Sequence, residues 1–237
     1  MQWSEEGIVL GARRHGETAV VLELLTPRHG RSLGLVRGGR SRALRVVLQP
    51  GNSVLATWRA RLEEHLGLYV VEPGTLRAAG LIDSPFKLAG LTTMMALSGL
   101  LPEREPHPRL YEATFLVLER LTDDAIWPAL LVRWELGLLE ELGFGLDLAR
   151  CAATGTTEAL CYVSPRTGRA VSNGAGEAYR DKLLRLPGFL LDAARTPDRA
   201  QVRDGFALTG HFLERHLLAP RGLAMPEARS RILARLP

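Results

Sequence analysis

The strongest constraint on the fold is a change in the hydrophobic pattern near residue 73. Before it, five short β-type runs recur at roughly ten-residue intervals and are separated by turn residues, a spacing typical of small barrels and sandwiches. After it, longer apolar stretches follow the helical period. The sequence therefore predicts an α+β chain of two domains, a five-stranded barrel or sandwich at 1–78 and a helical domain at 79–237.

One segment of the helical part loses this period. Residues 147–176 contain "LCYVSPRTGRAVS", in which two β-type runs are joined by a Pro-Arg-Thr-Gly turn, and this pattern predicts an inserted β-hairpin. Helices are predicted on both sides of the hairpin, in segments that begin at Ser84, Pro108, Ala125, Gly176, Asp198 and Pro226.

Several classes of protein are disfavoured by what the sequence lacks. It has no uncharged apolar run of about 18 residues, and acids replace the positive charge that a secretory signal carries at its start, so we expect a cytoplasmic protein without membrane contact. It also lacks a phosphate-binding glycine loop and a nucleophile-elbow motif, and its six histidines are scattered. We therefore expect no catalytic residues, although a cleft that gathers distant polar groups would support an enzyme.

Positive charge is concentrated in the first third of the chain. The net charge of +4 lies entirely in residues 1–80, where eleven arginines stand against seven glutamates. The stretch 28–61 contains eight arginines and no carboxylate. A folded segment of this kind attracts polyanions such as nucleic acids. The alternative is a solvated surface in a chain that uses arginine in place of lysine.

Several motifs occur together in one order along the chain. They are "EGIVLGARRHGE", "LTPRHGRSLGLVRGGRS", "LQPGNSV", "YVSPRTGRAVS" and "LTGHFLERHL". With the helical middle, they resemble the RecO family of bacterial recombination mediators. The resemblance implies an N-terminal OB-fold barrel, a helical C-terminal domain and, in many members, a four-cysteine zinc site at the hairpin.

The resemblance also implies a function for the arginines. RecO proteins bind single- and double-stranded DNA, anneal complementary strands and, with RecR, help to load RecA onto strands coated by the single-strand binding protein SSB. This function predicts association with the nucleoid. The expected phosphate-binding face of the barrel consists of Arg14, Arg28, Arg31, Arg37, Arg40, Arg42, Arg45, Arg59 and Arg61.

Aromatic residues are the other common part of OB-fold sites. Trp58 shares its alternation with Val54, Ala56 and Leu62, which predicts that it lies in the barrel core while Arg59 points outward. Trp3 precedes the first strand, and the sequence leaves open whether it packs in the core or stacks on bases.

The apparent zinc site is degenerate. Cys151 occupies one ligand position, but Thr154, Ser172 and Ala175 stand at the other three. A zinc ribbon needs four ligands around the ion, so we expect no zinc and no other cofactor.

A further expectation concerns the binding site for the SSB tail. The acidic tail of SSB, which ends in a hydrophobic residue, needs an apolar groove beside arginines, and the C-terminal helices offer apolar positions interspersed with Arg215, Arg221, Arg229 and Arg231. An ordinary amphipathic terminus explains the same pattern.

The alternative function is an RNA-binding OB-fold module with a helical scaffold, acting in translation or RNA maturation.

Overall fold

The computed structural model describes residues 1–62 and 64–236. Its contacts divide the chain into two compact units, Met1–Thr122 and Asp123–Pro237. None of the helices in these described ranges has both the length and the apolar character needed to cross a bilayer.

The first unit begins with a closed five-stranded barrel. Its strands are β1 (Gln2–His15), β2 (Ala19–Thr26), β3 (Gly30–Val36), β4 (Ser53–Arg59) and β5 (Leu68–Pro73). The order around the barrel is β1-β2-β3-β5-β4, with β3 and β5 parallel and the other neighbours antiparallel. This architecture confirms the OB-like barrel expected at the N-terminus.

Alternation along the strands explains the barrel core. Leu22, Leu24 and Ala56 are fully buried, and Trp58 is only 4% exposed, as the alternation predicts. Arg59, on the opposite face of β4, is exposed. The prediction for Leu62 is wrong, because β4 ends at Arg59 and the side chain of Leu62 is exposed beyond the end of the strand.

A short helix that the strand pattern did not predict connects β3 to β4. This helix, α1 (Arg42–Val47), begins after Ser41, whose hydroxyl accepts a hydrogen bond from the backbone N–H of Leu44 at 3.3 Å. None of its residues is fully buried. It lies within the arginine-rich stretch, so that stretch is partly helical and not only a loop.

Two longer helices complete the first unit. These helices, α2 (Pro85–Ser98) and α3 (Pro108–Arg120), each begin with a proline in the first turn, as predicted. Arg77 connects α3 to the barrel, because its guanidinium donates to Glu119 at 2.6 Å and to the Ser53 hydroxyl at 2.7 Å.

The compact units divide the chain at a different place from the predicted domain boundary near residue 78. Helix α2 packs against β1 and α3 against β2, so their contacts group them with the barrel. The domain boundary at residue 78 stays a prediction, based on the change from strand to helical patterns in the sequence. The boundary between the two compact units lies after Thr122.

The second unit combines helices with a small sheet. Its elements are α4 (Trp127–Glu141), β6 (Leu160–Val163), β7 (Ala170–Ser172), α5 (Asn173–Gly176), β8 (Leu184–Arg185), α6 (Arg199–Phe212) and α7 (Glu227–Leu233). Strands β6 and β7 form the predicted hairpin, and β8 adds a third strand to it. The helix predicted to begin at Gly176 is wrong in type, because a 3-10 turn at Glu177–Lys182 leads directly into β8.

Candidate nucleic-acid interface

Two glycines shape the loop after β3. Gly38 has a φ of +64°, a left-handed conformation that favours glycine. A Cβ atom on Gly39 would lie 2.5 Å from Cγ2 of Val20, so only glycine fits this close to β2. The turn brings the backbone N–H of Arg40 to the carbonyl of Thr18 at 3.1 Å. The loop is therefore fixed to the turn between β1 and β2.

Three of the predicted arginines meet beside this loop. Nη1 of Arg40 donates to the carbonyls of Gly16 and Glu17, which holds the guanidinium across the β1–β2 turn. The residue is exposed, and its Nε and Nη2 make no hydrogen bond with a described residue. Arg14 near the end of β1 and Arg45 on α1 reach the same place. Together these three arginines line a concavity of about 280 Å³, which we call the basic concavity.

The electrostatics of the basic concavity favour anions. No carboxylate is among its lining residues. Arg14 and Arg45 are exposed, and their side chains make no hydrogen bond or ion pair with a described residue. Guanidinium groups present planar forks of N–H donors that match phosphate oxygens. Such a surface can hold a nucleic-acid backbone without reading its sequence.

The remaining free arginines lie in two other places. Arg37 follows β3 and Arg42 begins α1, so both flank the basic concavity. Arg59 and Arg61 lie toward the opposite end of β1, since Arg59 pairs with Gln2 at the start of that strand. The predicted arginines therefore do not form one continuous face.

Arg31 has a structural role. Its guanidinium donates to Glu23 and, at 2.6 Å, to the carbonyl of Leu101, and it lies 3.6 Å from Glu103. Its side chain is only 17% exposed. These contacts occupy the cation inside the first unit, so Arg31 is not available to a phosphate and the expectation for this residue is corrected.

The side chain of Arg28 is held at Nε and is otherwise exposed. Its Nε donates to Glu5 at 2.6 Å, but 74% of its side chain is exposed. Glu5 is buried and also contacts Nδ1 of His29 at 2.9 Å. Burial raises the pKa of Glu5, but the hydrogen bonds from Arg28 and His29 outweigh burial and leave the pKa below its ordinary value. The carboxylate therefore stays charged and orients both partners.

The structure answers the question left open about Trp3. Its indole packs against the buried core of the barrel and is itself only partly buried. It stacks on His29 with a centroid distance of 4.1 Å and an interplanar angle of 8°. Trp3 and His29 line a pocket together with Arg104, and the sequence predicts no role for His29 or Arg104.

The C-terminal arginines predicted to bind a partner are largely engaged within the second unit. Arg229 is buried and forms an ion pair with buried Glu135, with Nε 2.8 Å from Oε1. Its Nη2 also donates to Thr209 and to the carbonyl of Phe206. Arg229 therefore cannot reach a partner, and the expectation for this residue is corrected.

The other three are exposed but have intramolecular contacts. Arg215 donates to the carbonyl of Pro165 at 2.7 Å, Arg221 to the carbonyl of Leu217 at 3.1 Å, and Arg231 to Glu227 at 2.7 Å. The apolar side chains between them are mostly buried in the unit's own core, among them Leu217, Leu218, Ile232 and Leu236. Their burial leaves little apolar surface for a peptide beside these arginines.

The degenerate zinc position is a hydrogen-bonded cluster. Cys151 is buried, and its sulfur accepts from the backbone N–H of Ser172 at 3.2 Å and from the Ser172 hydroxyl at 3.4 Å. Burial raises the pKa of Cys151, but hydrogen bonds from Ser172 and Thr154 outweigh it and lower the pKa to about 6. These residues supply one thiolate and two hydroxyls, which do not fit a structural zinc ion. Among the described residues, no three His, Cys, Asp or Glu side chains are grouped to hold a metal.

A closed barrel with an arginine-lined, carboxylate-free concavity defines an OB-like protein with a basic surface. Sequence comparison gives the family. The family model described as "Recombination protein O N terminal" matches residues 1–73, and "Recombination protein O C terminal" matches residues 83–223.

Individual relatives agree with the family models. The chain is 58% identical to DNA repair protein RecO of Methylorubrum extorquens over 240 residues, which cover 99% of this chain and 98% of that protein. It is 53% identical to DNA repair protein RecO of Rhodopseudomonas palustris over 234 residues, 97% of this chain and 94% of that protein. The chain belongs to the RecO family of DNA repair proteins.

Proposed function

We propose that this protein is a non-enzymatic recombination mediator. It binds single- and double-stranded DNA through the barrel, anneals complementary strands and, with RecR, helps to load RecA onto SSB-coated DNA in the nucleoid. The gathering of Arg14, Arg40 and Arg45 around one carboxylate-free concavity carries the DNA-binding part of this proposal. The roles of RecR and RecA in this proposal are taken from the RecO family, to which the chain belongs.

Charge alone is enough for the annealing step. Two complementary strands repel each other through their phosphates, and a basic surface that neutralises phosphates lowers this repulsion. Annealing breaks no covalent bond, so it needs no catalytic side chain. The basic concavity supplies cations at a fixed position on the barrel, which suits this task.

Strand annealing with a matched control tests this role. We expect Arg14→Ala, Arg40→Ala and Arg45→Ala together to slow annealing of complementary DNA strands about ten-fold or more, because three phosphate contacts are lost. The control combines Arg150→Ala, Arg166→Ala and Arg203→Ala, which removes the same charge from exposed positions of the second unit. Equal annealing rates for the two triple variants would contradict the proposal. Faster annealing of RNA than of DNA by the unaltered protein would favour the RNA-binding alternative.

The SSB tail has a better candidate site in the first unit than at the C-terminus. An apolar groove of about 650 Å³ is lined by Val46, Leu76, Ile82 and Leu88, with Arg42 and Arg45 also among its lining residues. The four apolar side chains are between 40% and 71% exposed. No carboxylate lines the groove.

We place the tail in this apolar groove because it combines the two features that such a tail needs. The hydrophobic terminal side chain can enter the apolar surface, and the carboxylates can pair with the two arginines. Arg45 lines both the groove and the basic concavity. We therefore expect the tail peptide and DNA to compete for the protein.

Titration of the full chain with a fluorescent acidic tail peptide separates the two placements. We expect Ile82→Ser with Leu88→Ser to weaken peptide binding about ten-fold, since the apolar contact is lost. Leu116→Ser, an exposed apolar position on α3, should bind as the unaltered protein does. If Arg215→Ala with Arg231→Ala weakens binding and the groove variant does not, the tail binds at the C-terminal helices.

A further inference from the structure

A second pocket of the barrel differs in character from the basic concavity. It lies where β1 begins and has a volume of about 300 Å³, at the lower end of the ~300–1,000 Å³ typical of small-ligand sites. Aromatic rings and cations line it together, namely Trp3, His29, Trp58, Arg28 and Arg104. We call it the aromatic pocket.

The rings of this pocket are held in place by buried contacts. Trp58 lies nearly parallel to Trp3, with centroids 5.9 Å apart, and its Nε1 donates to the carbonyl of Leu66 at 3.1 Å. Tyr69 meets Trp3 edge-on at 5.8 Å, and its hydroxyl lies 2.7 Å from Oγ of Ser32. Trp3 therefore packs on two aromatic side chains, Trp58 and Tyr69, whose positions are fixed by hydrogen bonds.

His29 forms the outer ring of this arrangement. One of its faces lies on Trp3, and Nδ1 is held by Glu5, while a third of its side chain remains exposed. The stack and the hydrogen bond fix the plane of the imidazole before any ligand arrives. Its remaining face offers a flat aromatic surface at the pocket.

Two cations stand beside the rings. Arg28 is held through Nε only, so its terminal N–H groups make no bond to a described residue. Arg104 has a φ of +63°, an uncommon backbone conformation for a residue other than glycine. Hydrogen bonds fix it there, from its N–H to the carbonyl of Arg31 at 2.7 Å and from Nη2 to the carbonyl of His65 at 2.9 Å.

We propose that the aromatic pocket takes one unstacked nucleobase of a bound single strand. The base stacks on the outer face of His29, which Trp3 supports from behind, and Arg28 and Arg104 contact the phosphates on either side of it. Stacking on an aromatic ring suits any base, so the site adds affinity for single strands without sequence preference. The inference rests on the proposed DNA binding and deepens it, because it distinguishes single strands from paired ones.

Binding of a normal and an abasic strand of equal length tests the pocket. Both strands carry the same phosphates, so their affinity ratio reports base contacts alone. We expect the unaltered protein to bind the normal strand about ten-fold more tightly. Trp3→Leu should bring the ratio close to one and leave the affinity for the abasic strand unchanged, whereas Trp3→Phe should keep most of the preference. Tyr179→Leu, which removes an exposed ring of the second unit, should change nothing.

A second variant guards against loss of folding. His29→Gln removes the outer ring and keeps an N–H donor for Glu5, so it should lower the ratio at an unchanged melting temperature. A normal preference in both the Trp3→Leu and His29→Gln variants would overturn the inference. A ratio of one in the unaltered protein, together with tight salt-dependent binding, would overturn it and leave the proposed function standing. Failure to bind either strand would overturn both.

Discussion

Arginine side chains occupy three environments in this chain. Arg229 is buried against Glu135. Arg31 is mostly buried and joins segments of the first unit, whereas Arg14 is free at the surface. The sequence could not distinguish them, because Arg229 and Glu135 are 94 residues apart and only the fold brings them together. Charge density along the chain indicated a basic surface but not which cations compose it.

The buried pair gives a prediction about stability. Arg229→Ala leaves the carboxylate of Glu135 buried without its cation, so we expect a loss of about 3–5 kcal/mol in the free energy of unfolding. Replacing both residues by leucine should recover much of this loss, since no unpaired charge remains. Urea denaturation of the three proteins measures the difference.

The exposed pair between Arg231 and Glu227 is the matched control. It joins the same residue types one turn apart on α7, with 66% of the Arg231 side chain exposed. Arg231→Ala should leave the midpoint of unfolding nearly unchanged, because exposed ion pairs stabilise little. If Arg229→Ala were equally harmless, the buried pair would not stabilise the second unit as described.

At the scale of elements, hydrophobic period predicted the strands, the long helices and the hairpin. It failed at α1, which is only six residues long, so that its apolar residues, Leu44 and Val47 among them, cover too little sequence to show a helical period. It failed again after Gly176, where apolar residues continue in helical spacing but the chain forms a 3-10 turn and adds β8 to the hairpin. Short elements depend on their tertiary neighbours more than on their own sequence.

The hairpin region gives a prediction about metal. Because Cys151 is accompanied by Thr154, Ser172 and Ala175, we expect the purified protein to contain no stoichiometric zinc and its melting temperature to be insensitive to chelators. Thr154→Cys, Ser172→Cys and Ala175→Cys together should create a site for one zinc ion. Elemental analysis measures the zinc content of the unaltered protein and of the triple cysteine variant. One zinc ion per unaltered chain would contradict the prediction and show that other ligands complete the site.

At the scale of the whole molecule, the uneven distribution of charge is the clearest link between sequence and function. Residues 1–80 carry the entire positive excess, and the fold gathers three of their arginines at the basic concavity. The sequence predicted the barrel, its core tryptophan and the basic segment. It could not predict the separation of the basic concavity from the aromatic pocket, because strand pairing decides which end of β1 each arginine reaches.

The most direct test of this account is the salt dependence of single-stranded DNA binding. For the unaltered protein, the logarithm of the binding constant should fall linearly with the logarithm of salt concentration. Arg14→Ala, Arg40→Ala and Arg45→Ala together should reduce the slope by about two, since each lost contact with a single strand contributes about 0.7. An unchanged slope in this variant would contradict the assignment of the basic concavity as the phosphate-binding surface.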